Sequence, residues 1–296
     1  MPENINACPL CGSAERSLID RRVIHAELVT NQVCQTCGLV YQSPRMSDEE
    51  LGIFYQKMYR ELYQGSEGPT TKDLEVQRGR AASLANFVGS KVVSKIRHLD
   101  IGSSAGILLL SFQERYQTTP VGIEPGKAYR EFAQSKGLVV HESVDTLRAC
   151  QEAPFQLISL AHVLEHIPRP VPYLKMLREA LLVDDGLLLV EVPNLYAHDS
   201  FEIAHMLAFS LHTLTETLQC AGFRVIKSRK HGQPRSNLLP LYITVLAKPN
   251  PVWKEAEGCQ PKPETLVIWK RRSGMFRRRV LQKLFPHQAW LPLPGL

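Results

Sequence analysis

The stretch HLDIGSSAGIL, residues 98–108, ends a strand-like apolar run in an acid, Asp100, and follows it at once with Gly102 and Gly106 as a helical pattern begins. Ligands of open parallel sheets bind beyond the carboxyl ends of the strands, so a glycine loop placed here marks a nucleotide-site position. Two familiar phosphate loops fail on spacing. G-x-G-x-x-G would need glycine where Ser104 and Ile107 stand, and the phosphate loop's G-K-[ST] is missing.

On either side the chain alternates. Strand-like IRHLDIG, TPVGIEP, LVVHES, FQLISLAH and GLLLVEVPN are separated by helical residues 105–116, AYREFAQSKG and VPYLKMLREALL. The helix SLHTLTETLQCAG and the strands FRVIKSRKH and LYITVLAKP close the series. Strands separated by helices of this length imply an α/β fold with a mostly parallel sheet covered on both faces. Glu124 ends the second strand in VGIEP, a little over twenty residues beyond the loop, where a carboxylate can accept from both ribose hydroxyls of an adenosine.

The loop resembles the D-x-G-x-x-x-G of class I S-adenosylmethionine-dependent methyltransferases, which have a Rossmann-like fold, and the resemblance spans roughly residues 75–248. It implies that Asp100 accepts from the methionine amino group and that Gly102 and Gly106 let backbone approach the cofactor. Relatives commonly have glycine at Ser104 too.

AHVLEHIP, residues 161–168, contains H-x-x-E-H, a zinc-protease pattern that works only on a helix. Here a buried strand precedes it and Pro168 and Pro170 follow, so the two histidines are expected to spread apart. The methyltransferase resemblance gives the segment another meaning. It puts His162 beside the cofactor's methionine part and turns Glu165 and His166 toward the acceptor or into the loop. HMLAFSLHTLTETLQCAGF resembles the same family and adds His205 to His166 as a candidate wall or general base of the acceptor pocket. A hydroxyl or acidic-carbon acceptor needs its proton removed, and histidine suits that task.

Cys8-x2-Cys11 and Cys34-x2-Cys37, each pair followed by glycine, offer four thiolates for a tetrahedral zinc. Four sulfurs close the coordination sphere, so the metal is expected to be structural, and so short a segment needs its binding energy to fold. Cys150, Cys220 and Cys259 read as ordinary core or surface cysteines. The N-terminus has neither a basic segment nor an apolar h-region, and no run of eighteen apolar residues occurs, so the expectation is a cytoplasmic protein.

The expected domains are a zinc ribbon at 1–45, a helical connector at 46–94, an S-adenosylmethionine-binding domain at 95–248 and a basic tail at 249–296. SDEELGIFYQKMY opens the connector with a Ser-x-x-Glu capping box. The net charge of +6 sits mainly at the end: residues after Gln260 hold eight Lys/Arg and one Glu, leaving 27 basic and 28 acidic residues before them. A neutral body weakens any nucleic-acid reading of the whole chain.

The ribbon with CGLVYQSPRMSDEELGIFY resembles the amino-terminal module of methyltransferases related to sugar C-methyltransferases of deoxysugar and polysaccharide pathways. This implies a sugar, glycan or related small-molecule acceptor. Longer members carry a further domain that these 296 residues do not show, which leaves O- and C-methylation equally open. RNA methylation is the rival class, supported by WKRRSGMFRRRVLQKLF, whose composition also suits an interfacial helix on anionic membrane or a plain solvated tail. A non-catalytic scaffold with the same fold is the third.

Overall fold

The computed structural model describes residues 2–57, 68–152, 154–253 and 259–292. The N-terminal ribbon consists of β1 (Arg16–Ile24), β2 (Glu27–Cys34) and β3 (Val40–Gln42). Helices α1 (Asp48–Lys57) and α2 (Thr71–Val88) follow. The central domain contains β4 (Arg97–Ile101), α3 (Ile107–Tyr116), β5 (Thr119–Ile123), α4 (Lys127–Ser135), β6 (Val139–His141), α5 (Val144–Ala149) and β7 (Phe155–Ala161). After a short 3-10 turn at Leu164–His166 come α6 (Pro170–Ala180), β8 (Leu182–Pro193), β9 (Leu207–Ala208) and α7 (Leu211–Cys220). The chain closes with β10 (Phe223–His231), β11 (Tyr242–Pro249), α8 (Val267–Leu284) and α9 (Pro286–Ala289).

The main sheet has seven strands in the order β10-β11-β8-β7-β4-β5-β6. β4 pairs in parallel with β5 and β7, β5 with β6, and β7 with β8, whereas β11 is antiparallel to both its neighbours. The expected mostly parallel sheet is therefore present. Chain order runs outward from β4 to β6 and then reverses to β7 on the other side, so a topological switch point lies between β4 and β7.

Both faces are covered, which is why these strands read as nearly continuous apolar runs. Alternate residues Leu157, Leu187 and Leu189 pack with Leu84, Phe87 and Phe112 of α2 and α3. Ile158, Leu188 and Val190 pack on the opposite side with Leu174, Leu177 and Leu214 of α6 and α7. Helix α2 thus builds the core of the main domain, although its residues fall inside the expected connector. The Ser47–Glu50 capping box forms in both directions, at 3.2 and 2.9 Å. The last two residues of the helix predicted over 47–59, and the start of the GSEGPTTK loop at 65–67, lie outside the described residues.

The ribbon is not a detached bead. Its sheet has the order β1-β2-β3-β9, so the main domain contributes a strand to it. Cys34, Cys37, Leu39 and Tyr41 share one apolar cluster with Met206, Leu207 and Phe209. Two further findings depart from the expectations. Cys220 and Cys259, read as ordinary cysteines, form a disulfide across 39 residues. The tail, for which a solvated segment is one of three readings, carries helix α8 packed on the segment after β8. Buried Arg271 donates to the Leu195 and His198 carbonyls and to Asp199, while Gly274 lets the helix backbone approach so closely that a Cβ there would fall 2.0 Å from the Tyr196 carbonyl oxygen. No helix among the described residues is long and apolar enough to cross a membrane.

Candidate active site

A cavity of about 540 Å³ opens at the carboxyl ends of β4, β5 and β7, beside the switch point. Gly102, Ser104, Glu124, His162 and His166 all line it, so the structure brings five of the eight expected cofactor and catalytic residues to one cavity. Helix α2 adds Gln77 and Arg80 from the other side.

The loop after β4 folds back onto β5. The Gly102 and Ser103 amides both donate to the Ile123 carbonyl, at 2.8 and 2.9 Å. Gly102 has φ +72°, and a Cβ there would lie 2.5 Å from Val163. Ser104 is also left-handed, φ +50°, a conformation glycine adopts at no steric cost. Its amide donates to Glu124 Oε2 at 2.9 Å, and the Gly126 amide donates to Oε1 at 2.8 Å. Both carboxylate oxygens are thereby fixed at the cavity lining.

Two expected cofactor residues stand away from the wall. Gly106, φ +76°, is the packing point of α3: a Cβ there would meet Leu138 Cδ1 at 2.3 Å and Ala133 Cβ at 3.2 Å. Asp100 is buried on the sheet face that carries α2 and α3. Its neighbour across the parallel ladder, Ser159, donates to Oδ1 at 2.6 Å and lies 2.8 Å from His98 Nε2. Burial chiefly, with the nearby Glu124 charge adding and the Ser159 bond opposing, lifts the Asp100 pKa to about 7. Burial holds His98 down to about 3.

The H-x-x-E-H histidines do diverge. His162, φ +60°, leaves the end of β7 and stands between two buried carboxylates, 3.4 Å from Glu165 and 3.3 Å from Glu191. Burial and the Arg80 charge pull its pKa down, but the two carboxylates outweigh them and hold it above the ordinary value. Glu191 is fully buried at the end of β8, where it is met by Arg80 at 3.1 Å, His231 at 3.1 Å and the Thr244 hydroxyl at 3.0 Å. Burial alone would raise its pKa; His162, His231 and Arg80 hold it well below the usual carboxylate range.

His166 turns the other way. Its Nδ1 lies 2.9 Å from the Ala204 carbonyl oxygen, which can only accept, so Nδ1 carries the hydrogen and Nε2 is the basic nitrogen of the neutral ring. His205 does the same with the Ser200 carbonyl at 2.7 Å. His205 itself stands behind His166, outside the lining of the cavity. Burial, then the charge on His205, lowers the His166 pKa to about 4. Glu165 sits within 4.8 Å of both rings and is held at about 2, because His162, His166 and His205 overcome the opposing effect of burial. The arrangement can hold a neutral base beside an ionised acid.

Arg80, Glu191 and His231 escape the sequence reading. They come from α2, β8 and β10, and only Glu191 carries a signal: a lone charge inside the buried run GLLLVEVP needs partners.

The four predicted zinc ligands converge. Cys8 and Cys37 sulfurs lie 3.6 Å apart, Cys11 and Cys34 3.5 Å, and all four lie within 4.8 Å of one another. Four sulfurs at ~2.3 Å from one zinc would stand about 3.8 Å apart, so the donor set fits. Gly12 and Gly38 both adopt the left-handed turn the knuckles require, φ +74° and +81°.

This sheet order, with a glycine loop and a strand-end acid at its switch point, defines the fold of class I S-adenosylmethionine-dependent methyltransferases. A methyltransferase domain family model matches residues 74–228, just over half of the chain, and the chain belongs to that family. Burkholderia thailandensis 1,6-didemethyltoxoflavin-N1-methyltransferase, solved with 1,6-didemethyltoxoflavin and S-adenosylhomocysteine, superposes with a TM-score of 0.54 at 18% identity, over 78% of this chain and 99% of its own. An S-adenosylmethionine-dependent methyltransferase from Archaeoglobus fulgidus gives 0.49 at 17%, over 64% and 98%. No curated protein matches the chain in sequence.

Proposed function

We propose that this protein transfers the methyl group of S-adenosylmethionine to a sugar, glycan or related small-molecule acceptor, with His166 as the general base and a structural zinc on Cys8, Cys11, Cys34 and Cys37. The observation that carries the reading is one cavity that joins the Gly102–Ser104 loop and Glu124 on one side to His162 and His166 on the other. Its volume lies in the range of small-ligand pockets, roughly 300–1,000 Å³.

The residues present fit such a cofactor. Glu124 suits a pair of ribose hydroxyls, and its backbone partners fix the carboxylate before a ligand arrives. Of the basic residues that line the cavity, Lys72, Arg80 and Arg235, Arg80 is committed to Glu191. When bound, S-adenosylmethionine supplies an electrophilic methyl carbon on a sulfonium. The chain's own work is to hold the acceptor in line and remove its proton, and positioning contributes much of the acceleration. His166 takes that proton at Nε2, since Nδ1 is held by the Ala204 carbonyl, and ionised Glu165 stabilises the imidazolium that results. His205 braces the His166 ring. The ribbon's likeness to modules of sugar methyltransferases supports the acceptor class.

The test is transfer of labelled methyl from S-adenosylmethionine into separated pools of nucleotide sugar, glycan, lipid and RNA. Label in the sugar or glycan pool is the expected result. Label confined to RNA, or in no pool, overturns the acceptor assignment.

A further inference from the structure

Helix α8 presents a face to solvent that nothing within the described chain covers. Trp269, Phe276 and Leu284 are 66%, 67% and 62% exposed, and Val280 between them is also exposed. Their spacings of seven, four and four residues place all four on one stripe of a helix with 3.6 residues per turn. Phe285, just past the helix end, is also exposed, at 48%. Exposed Arg272, Arg279 and Lys283 border it on one side and Arg277 on the other, and Val267–Leu284 holds no acidic residue.

The opposite face is pinned. Buried Arg271 reaches the Leu195 and His198 carbonyls and lies over the Phe201 ring at 3.9 Å, Gly274 abuts Tyr196, and Arg278 donates to the Ala197 carbonyl at 3.1 Å. The apolar stripe therefore cannot roll inward to bury itself without breaking those contacts, so its exposure is built into the fold.

We propose that this face of α8 docks the protein on an anionic lipid bilayer, with the Trp269, Phe276, Val280, Leu284 stripe set into the boundary between headgroups and acyl chains. An apolar stripe edged by cations and lying flat on a rigid body is the pattern of an interfacial helix. The charge complementarity is one-sided: cations flank the stripe and the helix contributes no carboxylate to repel phosphate. A single-stranded nucleic acid would use the cations and could stack on Trp269 and Phe276, but it has no use for exposed Val280 and Leu284, whose burial a lipid phase rewards. Because α8 packs on residues 195–198, the docked face lies directly behind the segment that leads to His205.

The test is co-sedimentation of the full chain with vesicles of phosphatidylcholine alone or mixed equally with phosphatidylglycerol. Binding to the mixed vesicles should be tighter by about tenfold or more and weaken at high salt. The doublet W269S/F276S and the doublet R272E/R279E should each lower it by about tenfold, with melting temperature and S-adenosylhomocysteine binding unchanged, since none of the four side chains faces inward. Equal binding to both vesicle types, or wild-type binding by either doublet, overturns the proposal. So does a wild-type dimer that W269S/F276S dissolves, or retention on polyuridylate that only R272E/R279E reduces. These readouts do not depend on methyl transfer.

Discussion

The ring of His205 meets the ring of His166 edge to face, centroids 4.7 Å apart, and each is fixed by a hydrogen bond from Nδ1 to a backbone carbonyl. The two tautomers are thereby set in the same sense, with Nε2 the basic nitrogen of each neutral ring. Of the two, only His166 lines the cavity, and His205 packs behind it.

Replacement of His166 by Ala is expected to lower kcat by about 10²- to 10⁴-fold, the usual contribution of a positioned general base. His205→Ala should cost less, through loss of the ring that braces His166. Titration with S-adenosylhomocysteine should give near wild-type affinity for both variants. Unchanged turnover in both would remove histidine from the chemistry.

Asp100 makes stability depend on pH in an unusual direction. Its folded pKa of about 7 lies above the ordinary 3.8, so its contribution is fully present below pH 3.8 and is lost as pH rises through 7. Carrying a carboxyl over that interval corresponds to roughly 4 kcal/mol. Asp100→Asn keeps an acceptor for Ser159 and cannot ionise. Its melting temperature relative to wild type should therefore rise between pH 5 and pH 8, by several degrees at this chain length. A difference that stays constant across that range would show that Asp100 is not held in this environment.

With zinc on the four cysteines as proposed, its removal is expected to disturb the segment that carries His205. The knuckles hold β3, and β3 pairs with β9 two residues beyond His205. Chelation, or Cys34→Ser, should release one zinc per chain, as metal analysis would count, and depress turnover more than S-adenosylhomocysteine binding. If both fall together, the ribbon supports the whole domain rather than that segment.

Gly106→Ala should destabilise the chain by roughly 1–3 kcal/mol in a denaturant titration, because the added carbon meets Leu138 and Ala133 at a left-handed φ. Ser104→Gly should be neutral or stabilising, since it relieves an existing left-handed serine.

What the sequence disclosed follows from which interactions are local. The glycine loop, the strand-end Glu124 and the two cysteine knuckles are each set by a few consecutive residues; Gly102, Ser104 and Glu124 line one cavity, Gly106 packs α3 instead, and the four sulfurs converge. Asp100 was legible as a strand-end acid, but the face it occupies depends on strand parity and on Ser159, a partner 59 residues away. The buried group around Glu191 was hidden for the same reason: Arg80, His231 and Thr244 come from α2, β10 and β11, and only the tertiary fold brings them together. The tail's order depends on Arg271 finding carbonyls about seventy residues earlier, a contact no local pattern announces.

The central claim is that the edge of the sheet at Gly102, Ser104 and Glu124 receives S-adenosylmethionine. Isothermal titration of the purified chain with S-adenosylmethionine tests it directly, with Glu124→Gln alongside. Saturable one-site binding is expected, weakened by the substitution about tenfold or more, since a buried charge-assisted hydrogen bond is worth roughly 1.5–3 kcal/mol. No heat of binding by a folded wild-type chain, or equal affinity in both proteins, would contradict it.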